Sequence, residues 1–166
     1  MRIRVRTAEP PDVDMLATAF ETWPKPPELF ADYLSRQASG EFELLVAQVA
    51  PALAGYCLVS WSSTYPPFAA NGVPEVVDLN VVADQRRRGV GRQLLKSAEE
   101  LISARSRVAG LRVGLYADYG PAQQMYVRHG YVPDGRGLSV RGQLVPPGST
   151  LLLDDDAVIA LTRELP

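Results

Sequence analysis

The sequence has few of the residues that build redox, disulfide or metal sites. Its 166 residues include one cysteine, Cys57, and one histidine, His129. An intramolecular disulfide and a multi-histidine metal centre are therefore excluded. Cys57 lies in an apolar run that is typical of a strand, where we expect a buried and unreactive thiol. Three adjacent acids, residues 154–156, lack the rest of an EF-hand loop, which favours a solvated turn, so we expect no metal cofactor.

Long hydrophobic runs are also absent from the sequence. No apolar stretch approaches the ~18 residues of a transmembrane helix, and the polar start, MRIRVRTAEPPD, does not match a secretory signal peptide. The net charge is −2, and only one basic cluster is dense, which argues against a general binder of nucleic acid or anionic membranes. We expect a cytoplasmic protein without nucleic-acid or membrane partners.

What the sequence does contain is the composition of an ordinary globular protein. Apolar residues make up 46% and charged residues 22%, and a chain of this length can bury a core without disulfides or metals. It shows no internal repeat, low-complexity segment or linker. We therefore expect a single domain over residues 1–166.

The hydrophobic pattern predicts alternating helices and strands. Residues 3–6 alternate as a first strand does, and two helical stripes follow, one ending near Trp23–Pro24 and one over Glu28–Ala38. After them come apolar strand-like runs, an amphipathic helix that ends near Ala104, and a helix that begins near Pro121. The predicted strands in this part are Phe42–Val49, Leu53–Trp61, Glu75–Val82, Leu111–Tyr116 and Ala157–Leu161.

The stretch Glu75–Ala104 joins a buried strand, a basic turn and a helix. N–H groups at the start of a helix have no partner within it, and the helix dipole adds partial positive charge there. Glycines allow a ligand to approach the backbone, and arginines add charge and paired donors. The pattern therefore predicts a phosphate-binding turn made of Arg86, Arg87, Arg88, Gly89, Val90, Gly91 and Arg92.

The spacing within this turn restricts the kind of phosphate ligand. No GxxxxGK[ST] sequence of a P-loop occurs, and a dinucleotide fingerprint fails because Leu94 stands at its third glycine position. A solvated, arginine-rich surface turn is the alternative. However, Arg86-x-x-Gly89-x-Gly91 between a strand and an amphipathic helix resembles motif A of the GCN5-related N-acetyltransferase (GNAT) family. In that family the turn binds the pyrophosphate of acetyl-CoA.

A second segment, Asp118–Tyr131, is similar to motif B of the same family. Ala122, Tyr126, Gly130 and Tyr131 match its pattern, and the order of predicted elements fits as well, so the resemblance covers nearly the whole chain. It implies an α/β (α+β) fold with a mixed, twisted, mostly antiparallel sheet of about seven strands flanked by helices. The fourth and fifth strands of that sheet splay apart around the pantetheine arm.

The resemblance also assigns residues to acetyl-CoA. It implies that Val81 and Val82 offer backbone groups to the pantetheine amides. The turn from Arg86 to Arg92 would hold the pyrophosphate, chiefly through the N–H groups of residues 87–92. Tyr119 stands where many members of the family have an asparagine, and we count it among the expected cofactor-binding residues.

The resemblance assigns the proton donor more clearly than the base. Tyr126 occupies the place of the family's usual general acid, although a core tyrosine is the alternative. Gly114 stands where some members carry a glutamate, so the candidate bases are two acids of the preceding strand, Glu75 and Asp78. Strand alternation puts them on opposite faces unless a bulge intervenes. Asp78 is the slightly favoured base, because an acid deep in an apolar strand is costly unless it is paired or functional.

We therefore expect an enzyme that transfers the acetyl group of acetyl-CoA to a primary amine by direct attack in a ternary complex. The expected acceptor is a small molecule. A protein N-terminal or lysine acetyltransferase, and a non-catalytic acyl-CoA sensor of the same fold, are the alternatives. Dimers are frequent in the family, so the resemblance also implies a homodimer.

Overall fold

The computed structural model describes residues 2–20 and 25–166, which divide into two compact units. The first contains the described residues of Met1–Trp61 and Val76–Leu101, and the second contains Ser62–Glu75 and Ile102–Pro166. Eight strands and five α-helices occur in the described residues. Most neighbouring strands pair in antiparallel orientation. This confirms the predicted fold class. The strand beyond the expected seven is a two-residue strand near residue 143.

The first unit carries four strands in the order β1-β2-β3-β4. Only Glu75, the first residue of β4, and the last two residues of α4 belong to the second unit. The elements are β1 (Ile3–Thr7), α1 (Asp12–Ala19), α2 (Pro27–Ala38), β2 (Phe42–Val49), β3 (Ala52–Ser60), β4 (Glu75–Val81) and α4 (Val90–Ser103).

Strand β3 is the central strand of the first unit. It pairs antiparallel with β2, so that Leu45 lies opposite Cys57, and it is buried at every position after Ala52. Burial on both faces explains why its sequence is a continuous apolar run. Burial also raises the pKa of the Cys57 thiol, so the predicted buried cysteine is confirmed.

Edge-to-face contacts between aromatic rings connect the end of α1 and helix α2 with β3. The ring of Tyr56 meets Phe20 at a centroid distance of 5.4 Å and Phe30 at 5.3 Å, both edge-on. Such pairs contribute about 0.5–1.5 kcal/mol each beyond the area they bury. They fix the ring of Tyr56 so that its hydroxyl reaches Asp78 of β4.

The second unit carries its strands in the order β5-β8-β6-β7. Strand β8 pairs antiparallel with both β5 and β6. A small hydrophobic cluster of Tyr65, Phe68 and Ala160 lies in this unit. The elements are α3 (Pro66–Ala70), β5 (Val108–Gly114), α5 (Gly120–Arg128), β6 (Val132–Val140), β7 (Gln143–Leu144) and β8 (Ala157–Glu164).

Several predicted boundaries are wrong. Strand β5 begins at Val108 rather than Leu111. The N–H of Gly110 donates a 2.9 Å hydrogen bond to the carbonyl of Pro74, and this contact extends the strand towards its N-terminal end. A short helix, α3, follows β3 in a region where no helix was predicted. Helix α1 ends at Ala19, before the expected Trp23–Pro24, and those two residues lie outside the described ones.

The described residues contain neither a helix that could span a membrane nor a group of side chains typical of a metal site. No helix in residues 2–20 and 25–166 is both long and apolar enough to cross a membrane. Over the same ranges, no three or more His, Cys, Asp or Glu side chains are grouped as metal ligands would be.

Candidate functional site

The basic turn before α4 has the backbone geometry of an anion-binding nest. Arg87 and Gly89 adopt left-handed conformations, with φ of +62° and +88°. The first hydrogen bond of α4 runs from the N–H of Gln93 to the carbonyl of Gly89, at 3.0 Å. The N–H groups of residues 90–92 therefore have no acceptor within the helix. Left-handed residues in such a turn gather N–H groups around an anion-sized concavity.

Arginine side chains surround this nest. Nε of Arg86 donates to the carbonyl of Val81 at 3.1 Å, and Nη1 of Arg88 donates to Oε1 of Gln85 at 3.1 Å. The side chains of residues 86–88 and 92 are exposed, so their remaining donors face solvent. Guanidinium groups beside a helix N-terminus suit a phosphate or pyrophosphate.

The backbone that precedes the turn is already hydrogen-bonded. The N–H of Val82 donates to the carbonyl of Ala54 at 2.9 Å, and its carbonyl accepts from the N–H of Gln85 at 2.9 Å. The carbonyl of Val81 accepts from Arg86. The roles of Val81 and Val82 towards pantetheine stay predictions. A pantetheine amide that donated to the carbonyl of Val82 would share that oxygen with the N–H of Gln85.

Asp78 is the centre of a polar network inside the first unit. Its Oδ2 accepts hydrogen bonds from the phenols of Tyr33 and Tyr56, each at 2.8 Å. Its Oδ1 accepts from Nδ2 of Asn80 at 2.7 Å and from Nζ of Lys25 at 3.2 Å. The carboxylate keeps about a quarter of its side-chain surface exposed, at 25%. Four donors thus hold one partly accessible carboxylate.

A left-handed backbone at Asp78 makes this arrangement possible. Its φ is +49°, which is unusual for a residue other than glycine inside a strand. Val77 packs against the hydrophobic cluster that contains Tyr56, and the carboxylate of Asp78 accepts a hydrogen bond from Tyr56. Strict alternation would put Val77 and Asp78 on opposite faces, so the left-handed residue interrupts the alternation of β4 at this point, as the expected exception of a bulge allows.

The two phenols that contact Asp78 remain proton donors. Burial, followed by the charge of Asp78, raises the pKa of Tyr33 and of Tyr56 above the ordinary tyrosine value. Both hydroxyls therefore keep their protons at neutral pH and donate to the carboxylate. Nδ2 of Asn80 donates to the hydroxyl of Tyr56 as well, at 3.2 Å, which fixes the orientation of that phenol.

Glu75, the other candidate base, lies in a different environment in the second unit. Its side chain is 1% exposed, and its Oε1 accepts from Nε of Arg112 at 2.6 Å. Its Oε2 accepts from the Ser63 hydroxyl and from Nη2 of Arg112. A buried carboxylate with both oxygens engaged by a cation and a hydroxyl is typical of a structural ion pair.

Tyr126 lies on the buried side of α5. It is 7% exposed, and its ring meets that of Tyr131 edge-on at 6.1 Å. His129 follows α5 at its C-terminal end, and its N–H donates to the carbonyls of Met125 and Tyr126 at 3.0 Å. Arg128 is the last residue of α5 and His129 is its C-cap. The catalytic role of Tyr126 stays a prediction.

Tyr119 belongs to a cluster at the end of β5. Its hydroxyl donates to Oδ1 of Asp155 at 2.8 Å, and Tyr116 donates to the same oxygen. Hydrogen bonds from Tyr116 first, and Tyr119 second, lower the pKa of Asp155. The acidic triplet thus contains an oriented carboxylate as well as the exposed pair between Asp156 and Arg141.

Sequence reasoning missed most of the partners of Asp78. Lys25, Tyr33 and Tyr56 precede it by 53, 45 and 22 residues, so no local pattern joins them. The only local signal was the polar pair Asp78 and Asn80, two residues apart in an apolar strand. The partners of Glu75 and the role of Asp155 were missed for the same reason.

Comparisons with known proteins agree with this architecture. The model of the Acetyltransferase (GNAT) family matches residues 11–131. No curated protein sequence matches the chain. Solved structures do match it along nearly its whole length, at identities that show the fold alone.

Three of these structures, with TM-scores from 0.70 to 0.74, serve as examples. One, from Desulfovibrio desulfuricans, is assigned to the GNAT acetyltransferases (TM-score 0.74, 17% identity, 98% of this chain and 99% of that chain). Another is a ribosomal-protein-alanine N-acetyltransferase from Brucella melitensis (0.71, 16%, 98% and 99%). The third is yncA from Salmonella typhimurium, assigned as an acetyltransferase and solved with its cofactor acetyl-CoA (0.70, 15%, 99% and 94%).

Proposed function

This chain belongs to the Acetyltransferase (GNAT) family, and from that premise we propose that it acetylates a primary amine on a small molecule. Family membership makes it an acetyl-CoA-dependent acyltransferase. The observation that supports an amine as the acceptor is the Asp78 carboxylate, which is partly exposed and already contacts an ammonium group at 3.2 Å. Such a site suits an amine better than a hydroxyl or thiol acceptor.

The residues of the basic turn fit the phosphate part of acetyl-CoA. The left-handed residues Arg87 and Gly89 gather N–H groups, and the exposed arginines supply positive charge. Residues 86–92 would hold the pyrophosphate, and Val81, Val82 and Tyr119 are the further proposed contacts. When bound, acetyl-CoA supplies a thioester: the amine forms a C–N bond to the acetyl carbon, and the C–S bond breaks.

Two side chains would move the protons of this reaction. Asp78 holds the acceptor nitrogen and takes the proton that the nitrogen must lose. Tyr126 gives its phenol proton to the leaving sulfur. Glu75 is the weaker candidate for the base, because Arg112 and Ser63 occupy both of its oxygens.

A cytoplasmic location, a homodimer and the lack of a metal ion remain part of this proposal.

Exchange of Asp78 for asparagine tests the proposal. We expect Asp78→Asn to lower amine-dependent release of CoA by about 10²–10⁴-fold, with calorimetric affinity for acetyl-CoA within about twofold of the wild type. Asp32→Asn is the matched control, since this acid of α2 is 59% exposed and pairs only weakly with Arg36 at 3.8 Å. Turnover in the control should be unchanged.

Four results would contradict the proposal. Failure of the wild type to bind acetyl-CoA would remove its basis. Tight binding without CoA release over a broad panel of amines would favour the sensor alternative. Full activity of Asp78→Asn would exclude this carboxylate as the base. Release with protein N-termini or lysine side chains, but not with small amines, would assign the chain to protein acetylation.

A further inference from the structure

Lys25 occupies a cation-binding position in the first unit. Its Nζ lies 3.2 Å from Oδ1 of Asp78 and 5.5 Å from the centroid of the Tyr56 ring. The Lys25 side chain is 13% exposed, so most of its methylene stem is covered. A carboxylate and an aromatic face are the two groups that proteins use most directly to bind an ammonium ion.

The framework of this position does not depend on Lys25. The other three donors to Asp78 come from regular elements: Tyr33 from α2, Tyr56 from β3 and Asn80 from β4. Their hydrogen bonds are 2.7–2.8 Å long, whereas that of Lys25 is 3.2 Å. Lys25 itself precedes α2 and belongs to no helix or strand.

The contrast distinguishes three donors on regular elements from one donor on a connecting segment. Tyr33, Tyr56 and Asn80 would still orient the carboxylate if Lys25 moved away, and one acceptor position on Oδ1 would then open. An incoming ammonium could take that position without any rearrangement of the strands. An incoming anion would instead meet the negative charge of Asp78 at short range.

We infer that Asp78, Tyr33, Tyr56 and Asn80 form a receptor for a primary ammonium at the end of an unbranched alkyl chain, and that Lys25 competes for it. This inference rests on the proposed function, and it names the class of acceptor: alkylamines, the chemistry of the lysine side chain itself. Lys25 thereby lowers the apparent affinity for the acceptor. The apparent affinity equals the intrinsic affinity multiplied by the fraction of time that Lys25 leaves the position open.

The size of this effect follows from the occupancy of Lys25. An internal competitor that fills its site about nine-tenths of the time reduces apparent affinity on the order of tenfold. Removal of its charge, with the length of the side chain kept, should restore that affinity. Lys25→Met makes this change. Lys96→Met is the matched control, because Lys96 is the only other lysine, lies on α4 and is 63% exposed.

The experiment measures binding and turnover of three probes: n-pentylamine, the branched 3-aminopentane, and pentanoate. We expect Lys25→Met to tighten calorimetric binding of n-pentylamine to the protein alone by about tenfold and to lower its KM to a similar extent. Affinity for acetyl-CoA should not change. Lys25→Arg, which keeps a cation, and Lys96→Met should both behave as the wild type. In Lys25→Met, 3-aminopentane should bind more weakly than n-pentylamine, and pentanoate should not bind.

Each other outcome has a defined meaning. Unchanged or weaker n-pentylamine binding in Lys25→Met, or a gain for pentanoate, overturns the inference. So does equal binding of the branched amine. Should Lys25→Met fail to unfold cooperatively, Lys25→Gln gives the same comparison. Tighter alkylamine binding without CoA release in any variant would refute the proposed function and support the receptor, so the two can fail separately.

Discussion

The ring of Tyr119 lies against the Cα of Gly114. A Cβ added at Gly114 would stand 2.3 Å from Cδ2 and Cε2 of that ring, which no real side chain tolerates. These are the two residues that the resemblance matched to a glutamate of some family members and to a frequent asparagine. The ring of Tyr119 fills the space that a side chain at position 114 would need, so these two residues pack as one unit.

We predict that Gly114→Ala destabilises the protein by about 1–3 kcal/mol, the usual cost of overpacking. The methyl group would force the Tyr119 ring away from its hydrogen bond to Asp155. Urea unfolding followed by circular dichroism measures the change. Gly120→Ala is the control, since nothing lies within 4 Å of a Cβ there, and its free energy of unfolding should stay within about 0.5 kcal/mol of the wild type.

A double-mutant cycle identifies Tyr119 as the cause. In a Tyr119→Ala background the ring is gone, so Gly114→Ala should cost less than it does in the wild type, by about 1 kcal/mol or more. The same cost in both backgrounds would show that the strand backbone, rather than the tyrosine, requires glycine at this position.

We predict that Gly89→Ala weakens binding of acetyl-CoA. Alanine at a φ of +88° is strained, by about 1–2 kcal/mol, and relief of that strain would turn the N–H groups of the nest away from a phosphate. Calorimetry should show a loss on the order of tenfold or more. Gly72→Ala is the control, because Gly72 also has a positive φ, of +59°, with nothing within 4 Å of a Cβ.

Both glycine variants should lose similar stability, and only Gly89→Ala should lose affinity. Equal affinity in the two variants would contradict the assignment of the turn to pyrophosphate. A loss of affinity that disappears at high salt would assign the binding to the charge of the arginines alone.

We predict that Tyr126→Phe lowers kcat by about 10²–10⁴-fold, because the variant keeps the ring but has no proton for the leaving sulfur. The dissociation constant of acetyl-CoA should stay within about twofold of the wild type. Tyr131→Phe is the control: Tyr131 is 1% exposed and contacts Tyr126, so it reports the loss of a buried phenol without a proposed catalytic role. If both variants lose activity equally, Tyr126 is a packing residue.

We predict that Asp12→Asn destabilises the protein in a pH-dependent way. Asp12 is buried and forms two hydrogen bonds with Arg6, at 2.6 and 2.8 Å. These hydrogen bonds lower the pKa of Asp12 in the folded state. Its contribution is therefore complete above its ordinary pKa and is lost as the pH falls through the lower, folded-state pKa.

At neutral pH the substitution should cost about 1–3 kcal/mol of unfolding free energy, and the difference from wild type should shrink in acid. Chemical unfolding at a series of pH values from about 7 down to about 2 measures it. Asp14→Asn is the control, since this acid lies in the same helix and is exposed. A difference that stays constant over the whole pH range would show that the carboxylate charge is not involved.

Local patterns were enough to predict the turn and most elements. The strand, the glycines and the amphipathic helix of residues 75–104 are contiguous in sequence, and their periodicities follow directly from backbone geometry. Helix α2 and strand β2 were placed to within one residue for the same reason. The boundaries that were wrong, such as the start of β5, depend on partners that are distant in the chain.

The sequence by itself determined the family, the mixed α/β fold and the basic turn, because each can be recognised from residues that lie close together in the chain. Only the tertiary structure decided how the two acids of β4 differ. Glu75 meets a buried arginine, whereas Asp78 meets two phenols, an amide and an ammonium. The partners of a carboxylate are set by which distant side chains the fold brings to it, and these partners decide whether it is a structural ion or a candidate base.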